Sequence, residues 1–347
     1  MQCLQLQQLL RGEGFCVRTV QTNAPYRPQW IGRMRGLRAL FRLAPYLRAL
    51  WRVAAEVQVM HVLANSGWAW HLFAAPAVWI ARWHGVPVVV NYRGGDAAPF
   101  LRAAPAWVER TMRAADARIV PSGFLRDVFA LEEIEAHIIP NVVDLSQFHP
   151  GSKPRDAARV QIVVTRNLEP IYDIGTAIEA FAILGRRIEG AVLTIAGEGP
   201  ERERLIERAA SLGVADKVRF SGRLERTAMA NLYRGADLML NASTVDNMPN
   251  SILEAYAAGV PVVSTDAGGI PYIARNGETA LLVPARDARA MAEAACRVLE
   301  DRALAARLVE QGLREARRYA WSEIRDLWLT LYRSLASRRE APVAEVR

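Results

Sequence analysis

Apolar positions along the chain follow two rhythms. VPVVVNY at 86–92 and ARIVPS at 117–122 are short, β-branched runs ended by turn residues. Strands of a parallel sheet, covered on both faces, have this pattern. VQVMHVL at 57–63 reads as a further strand, and HLFAAPAVWIARWHG and WVERTMRAADA read as the helices that precede the two runs. The second half repeats the alternation. QIVVTRN, a helix over 174–184, AVLTIAGEG, a helix over 200–212 and VRFSG are followed by LYRGADLMLNAS, SILEAYAAG, VPVVST and ALLVPARD, then by a long helical stretch over 288–319. Strand and helix in alternation predict an α/β fold with two Rossmann-like domains.

PGSKPRDA at 150–157 interrupts the periodicity, which sets the expected boundary between an N-terminal domain, 1–150, and a C-terminal domain, 151–318. In the last helix, 319–337, residues Ile324, Leu327, Trp328, Leu331, Tyr332 and Leu335 recur at three- and four-residue spacing. One face must therefore be buried, and the helix is expected to return to the first domain ahead of a polar tail, 338–347. The N-terminal segment opens on a helical pattern (Leu4, Leu6, Leu9, Leu10), then passes through Gly12 and Gly14 into what reads as a second strand. A doubly wound domain ordinarily opens on a buried strand and a Gly-rich turn. The expectation is thus that the coding region extends upstream of Met1 and supplies both.

Charge changes the picture in one place. The chain carries a formal +8, and residues 1–55 hold nine arginines against the single acid Glu13, which accounts for the whole excess. Within IGRMRGLRALFRLAPYLRALWRV at 31–53, Arg35, Arg38 and Arg42 fall at helical spacing beside Phe41, Trp51 and the nearby Trp30, and Pro45 kinks or divides the helix. This is the pattern of a helix lying among lipid headgroups, so 31–53 is expected to meet an anionic membrane surface; a packed helix with a solvated basic face is the alternative. No reader motif accompanies the charge, and nucleic acid is not expected as a partner. No apolar run reaches the roughly 18 residues of a membrane span, and the N-terminus lacks a signal-peptide pattern. The expected location is cytoplasmic, at the inner face of the membrane. Cys3, Cys16 and Cys296 lack metal-ligand spacing and are expected to be buried or inert thiols.

The chemistry concentrates in NASTVDNMPNSILEAYAAGVPVVSTDAGGIP, 241–271. A strand ends at Asn241–Ser243, a polar loop follows, and Pro249 stands where the first turn of a helix would start, a place that tolerates its missing N–H. The N–H groups of Asn250, Ser251 and Ile252 would then point, with the positive end of the helix dipole, at an anion such as a diphosphate. Glu254, one turn inside, can reach two vicinal ribose hydroxyls. Asp246, eight residues earlier, can face a transferred sugar. A solvated helix acid and an unrelated loop acid are the plain alternative.

The same stretch resembles the signature of the family 4 glycosyltransferases, in which two glutamates at an eight-residue offset precede an Ala-rich helix, Gly, Pro-Val and Gly-Gly. Here they correspond to Asp246 and Glu254, followed by Ala255, Ala258, Gly259, Pro261, Val262, Val263, Asp266, Gly268 and Gly269. IIPNVVDLSQFHP at 138–150 looks like the family's interdomain segment, AGEGPERERL at 196–205 like its second strand-to-helix turn, and VRFSGRL at 218–224 like its base-binding strand, which adds Arg223 and Leu224 as donor-binding residues. The resemblance implies a GT-B architecture: two domains facing across a cleft, the first for acceptor and the second for a nucleoside diphosphate sugar, with retention of configuration and no bound metal or other cofactor. Arg166, at the end of QIVVTR, matches the family's phosphate-binding arginine, and its fork can hold two phosphate oxygens. No DxD-type triplet is present, so arginines and helix N-termini would neutralise the departing diphosphate.

Four positions depart from the family pattern. Tyr172 stands for a lysine, Arg93 for a histidine before Gly, Asp246 for a glutamate, and Tyr272 for a glutamate after Gly-Gly. Arg93 cannot serve as a base at neutral pH but can supply the charge the lysine would have brought. The expected function is transfer of a hexose-like unit to a lipid-linked or polysaccharide acceptor, with Arg166 and Tyr172 at phosphate, Glu254 at ribose, and Asp246 and Arg93 as catalytic residues. A catalytically impaired scaffold that binds nucleotide sugar or glycan is the alternative. An epimerase of similar architecture fits less well, since those clefts are richer in acids and histidines.

Overall fold

The computed structural model describes residues 2–22, 38–151 and 159–340. Two compact units emerge from it, one made of the chain up to Pro140 together with the segment from Arg325 on, the other of Asn141–Ile324. The division thus lies before the Pro/Gly-interrupted segment at 150–157, and the return to the first unit comes part-way along the last helix.

In the first unit, α1 (Gln2–Gly12) and α2 (Arg38–Ala54) precede β1 (Met60–Ala64), a π-helical turn over Trp70–Ala74, α3 (Ala75–Trp83), β2 (Val88–Tyr92), α4 (Ala97–Arg102), α5 (Ala106–Arg113), β3 (Ala117–Val120), α6 (Gly123–Leu131) and β4 (His137–Ile138). The four strands are parallel in the order β1-β2-β3-β4. All five residues of β2 are buried, as its unbroken apolar run requires. Trp70, Tyr92, Met112, Leu125 and Phe129 fill the core around it. Residues 15–21, expected as a strand, form none. Their in-out alternation persists, with Phe15 and Val17 half-buried and Cys16 and Arg18 exposed, but the Val17 carbonyl is taken by the Arg11 guanidinium at 3.0 Å rather than by a neighbouring strand. Cys3 and Cys16 are exposed rather than buried; Cys296 is buried.

In the second unit β5 (Val160–Val164), α7 (Ile174–Leu184), β6 (Ala191–Ala196), α8 (Arg202–Ser211), β7 (Val218–Gly222), α9 (Arg226–Arg234), β8 (Leu238–Asn241), α10 (Asn250–Ala257), β9 (Val262–Thr265), β10 (Leu281–Val283), α11 (Ala288–Glu300) and α12 (Arg302–Arg317) alternate except where β10 follows β9 and α12 follows α11. The sheet is parallel in the order β10-β9-β8-β5-β6-β7. The order reverses between β8 and β5, which makes the crevice at their carboxyl ends the place where a ligand can enter. The long helical stretch expected over 288–319 divides at Asp301, whose carboxylate accepts from the Leu304 N–H at 2.9 Å and caps α12.

The last helix, α13 (Trp321–Glu340), returns its second part to the first unit. Trp328, 1% exposed, stacks on the His61 ring of β1 at 5.1 Å, and Tyr332 bonds the His61 Nδ1 at 2.6 Å. The buried stripe runs through Ile324, Trp328, Leu329, Tyr332 and Leu335, whereas Leu327, expected on it, is exposed. Burial, with Arg93 nearby, lowers the His61 pKa to about 3, so the imidazole is neutral.

Candidate functional site

Most of the residues singled out in the second unit meet at the β5/β8 reversal. Arg166 leaves the end of β5, and the loop after β8 carries Asp246 toward it. The two form an ion pair with side chains 12% and 10% exposed. The Arg166 guanidinium also lies over the Tyr172 ring, 4.0 Å from its centroid, so the residue standing for a lysine acts as a cation-π floor. Tyr172 ends a 3-10 turn, Pro170–Tyr172, that is tied to the β8 loop by the Thr244 N–H and hydroxyl, both donating to the Ile171 carbonyl at 2.9 and 3.0 Å. Burial raises the Tyr172 pKa and also that of Asp246, where the Arg166 charge and the N–H groups of Asn247 and Met248 oppose it.

The β8 loop is held from the other side by the Gly-Gly turn after β9. Gly269 donates to the Asp246 carbonyl at 2.6 Å, and a Cβ there would lie 2.0 Å from the Asn247 carbonyl oxygen. Only glycine lets the two loops approach this closely. The position of Asp246 therefore depends on a sequence feature more than twenty residues downstream.

Helix α10 opens one residue later than expected, with Pro249 as its cap rather than its first helical residue. The Asn250 side chain is fixed by the Asn141 amide at 2.9 Å. Ser251 is 4% exposed and its Oγ has no hydrogen-bond partner among the described residues. The Ile252 N–H, expected to face an anion, is instead committed to the Pro249 carbonyl at 3.1 Å.

Glu254 is half-buried one turn inside α10. Burial pushes its carboxyl up to about 7, against the pull of the Arg226 and Arg166 charges and of the Tyr233 hydroxyl. Arg226 and Tyr233 were missed in the sequence, although both sit on α9 two turns apart and so on one face. Tyr233 is fully buried; its hydroxyl donates to the Ser251 carbonyl at 3.0 Å and shares a 2.5 Å bond with Thr165, the residue before Arg166. This tyrosine thus links the end of β5 to the start of α10.

The remaining expected residues are placed separately. Exposed Arg223 and half-buried Leu224 follow β7, at the same end of the sheet but two strands from β5. Tyr272 is about half exposed in the turn after Gly269. Arg93 belongs to the first unit, where its N–H donates to the Ala64 carbonyl at 2.8 Å and burial lowers its pKa to about 10; it stays a cation at neutral pH.

A family model for glycosyl transferases group 1 matches residues 147–315, and one for glycosyltransferase family 4 matches residues 13–147. Together the two models span residues 13–315, both describe glycosyltransferases, and the fold is GT-B. An exopolysaccharide phosphotransferase of Streptomyces coelicolor is 34% identical over 254 residues, which are 72% of this chain and 26% of that protein. Among solved structures, the sucrose-phosphate synthase of Thermosynechococcus elongatus superposes with a TM-score of 0.77 at 21% identity, covering 97% of this chain and 94% of that one. Anabaena HepE, solved with UDP and glucose, gives 0.72 at 20% identity, covering 94% and 88%. Both share the fold of this chain. The chain spans between 26% and 60% of the length of the curated relatives it matches.

Proposed function

We propose that the chain transfers a hexose-like unit from a nucleoside diphosphate sugar to a lipid-linked or polysaccharide acceptor, with retention of configuration and without a metal. The observation that carries this reading is the meeting of Arg166, Asp246, Ser251 and Glu254 at the β5/β8 reversal. A diphosphate fits there between a guanidinium and a helix N-terminus, and a ribose fits against a carboxyl group that ionises near neutral pH. The leaving diphosphate gains charge as the glycosidic bond breaks, and fixed donors aimed at it stabilise that charge. Asp246 and Arg166 neutralise each other before donor arrives, so donor must exchange the carboxylate for phosphate oxygens. That exchange releases Asp246 toward the sugar. Arg223 and Leu224 flank the base. Retention is supported by the resemblance of the 246–254 signature to that of the retaining enzymes.

The second reading, a binding scaffold, is favoured by the same ion pair, because a carboxylate locked on Arg166 is withheld from chemistry. Purified protein screened against a panel of nucleotide sugars separates the two. The transferase reading expects a thermal shift with one donor and release of nucleoside diphosphate when acceptor is supplied. A shift without release would establish the scaffold, and no shift with any donor would overturn both.

We further propose that the protein works against an anionic membrane at the inner face. Residues 31–37 and the side chain of Arg38 lie outside the described residues, but α2 continues the pattern. Its water-facing side carries Phe41, Arg48, Trp51 and Arg52 and no acid. Among the described residues no helix is long and apolar enough to cross a membrane.

A further inference from the structure

The segments that follow β1 and β2 in the first unit, the latter as far as α5, hold aromatic side chains that the core does not need. Trp68 is 78% exposed and Trp107, at the start of α5, is 44% exposed. Between them stands His71, whose ring lies 6.0 Å from that of Trp68 and 4.9 Å from that of Trp107. Phe100 of α4 backs His71 at 6.0 Å. Large apolar rings left in water cost free energy, and a connected row of them is informative in a way that one exposed ring is not.

The row is rigid. The Ser66 hydroxyl and the Tyr92 hydroxyl share a 2.7 Å bond, and a Cβ on Gly94 would fall 2.4 Å from the Ser66 Oγ, so the two loops are locked together. Gly67 takes a φ of 67°, and its carbonyl accepts from the Trp70 N–H at 3.0 Å. Trp107 is fixed through its carbonyl, which accepts from the Thr111 hydroxyl at 2.8 Å, while Thr111 accepts in turn from the Trp79 indole at 3.0 Å.

His71 lies in a π-helical turn, Trp70–Ala74, where the Ala75 N–H bonds the Trp70 carbonyl five residues back. Such turns are rare and recur at functional sites. Among the described residues the indole N–H of Trp70, a fully buried residue in this turn, has no partner, a cost that packing alone does not require. Both loops follow carboxyl ends of parallel strands, the side on which open α/β sheets bind ligands.

We infer that Trp68, His71 and Trp107 form a stacking platform for a neutral pyranose ring of the acceptor saccharide. A pyranose has one face of C–H groups and a rim of hydroxyls, which suits flat aromatic rings bordered by polar groups. Charge decides against a lipid surface here. The loop over residues 65–69 is uncharged, and Asp96, at the start of α4, makes no cap hydrogen bond with its side chain and would repel anionic headgroups. The exposed aromatics of α2 differ in standing among arginines with no acid, whereas on α5 Glu109 pairs with Arg113 at 2.8 Å beside Arg110. Calling the saccharide an acceptor rests on the transferase reading; the platform itself does not.

Saturation-transfer NMR on the full chain with methyl α-D-glucopyranoside, methyl α-D-mannopyranoside and methyl α-D-galactopyranoside tests the platform. At least one should receive saturation on its ring C–H protons, reduced about threefold or more in Trp68→Ala and in Trp107→Ala and retained in Trp68→Phe, since stacking needs a ring rather than an indole. Trp68 is exposed enough for its replacement to leave the melting temperature unchanged, which separates lost contact from lost fold. No transfer to any of the three, or equal transfer in wild type and both alanine variants, would overturn the inference. Loss of binding to phosphatidylglycerol vesicles in Trp68→Ala with sugar contact unaltered would reassign the row to the membrane. A chain that fails to bind any nucleotide sugar yet keeps the Trp68-dependent transfer would sink the transferase reading and spare the platform.

Discussion

Asp246 and Glu254 are carboxylates in one site held in different ways, and the difference can be measured. Asp246 is paired with Arg166, while Glu254 is raised by burial from 4.5 to about 7. A folded-state pKa above the unfolded value means that the folded protein holds an extra proton between pH 4.5 and 7, so stability falls as pH rises through that window and the loss is complete above 7. Glu254→Gln should therefore gain stability over wild type between pH 5 and pH 8, by on the order of 1–3 kcal/mol in urea unfolding. A constant difference at the two pH values would refute the burial of this group. On the proposed ribose contact affinity should run the other way, because a carboxylate accepts from two hydroxyls at both oxygens more strongly than a protonated carboxyl does: nucleoside diphosphate binding should strengthen through pH 7 in wild type relative to Glu254→Gln, in which the ligand's own titration is shared. Asp246→Asn frees Arg166 from its partner. Calorimetry should show unchanged or tighter diphosphate binding, with turnover falling much more than affinity. Weaker binding with turnover intact would mean that Asp246 only positions Arg166. Arg166 and Glu254 were legible because a strand end and a helix start fix their placement in advance, and Asp246, in the loop between β8 and α10, only through the resemblance of the 246–254 stretch. Arg226 and Tyr233 were not, since two positions a double turn apart look the same whether they face water, core or ligand, and the stacking of Arg166 on Tyr172 leaves no mark in the spacing.

At the scale of elements, a helix or strand was readable wherever its own residues decide it. The bounds of α7 match the sequence reading, and the parallel strands were marked by apolar runs. Residues 15–21 show the limit: alternation describes a half-buried extended segment, but a strand also needs a neighbour, and here the Val17 carbonyl finds Arg11. The π-turn is hidden for a related reason, as its apolar spacing is that of an ordinary helix with one residue added. The docking of α13 onto β1 makes a prediction of its own. The His61 pKa is lowered from 6.5 to about 3, with Trp328 and Tyr332 packed on the ring and Arg93 nearby. Below 6.5 the unfolded chain takes up a proton that the folded unit refuses, so the contact's contribution is present at neutral pH and is lost as pH falls from 6.5 toward 3. His61→Phe should flatten the acid limb of a thermal-melting profile, and an unchanged limb would place the acid sensitivity elsewhere. Trp328→Ala should cost about 3–5 kcal/mol at pH 7, as expected for emptying a buried aromatic site.

Across the whole molecule the charge is the least evenly distributed property, and it sets the last prediction. The excess of +8 lies within residues 1–55, while the remainder of the chain is neutral. An even spread would act only on solubility, but a local excess creates a field over one patch. On α2 the exposed cations Arg48 and Arg52 stand beside exposed Phe41 and Trp51, and the Trp51 ring lies 6.2 Å from that of Trp83 on α3. Coulombic attraction and apolar insertion should therefore act together and separate on salt. Attraction to exposed charges is screened beyond about 10 Å at 0.1 M, whereas insertion is not. Sedimentation with phosphatidylglycerol vesicles should show strong binding at low salt, a partial release as salt rises and a salt-resistant remainder. Each arginine near an anionic surface contributes about 1 kcal/mol, so the double substitution Arg48→Gln and Arg52→Gln should lower low-salt partitioning by roughly ten- to thirtyfold. Trp51→Ala should instead remove the salt-resistant remainder and leave the steep salt dependence in place. Binding that is unchanged in both variants would exclude this face of α2 as the contact, and binding equal on neutral and anionic vesicles would remove the role assigned to the charge.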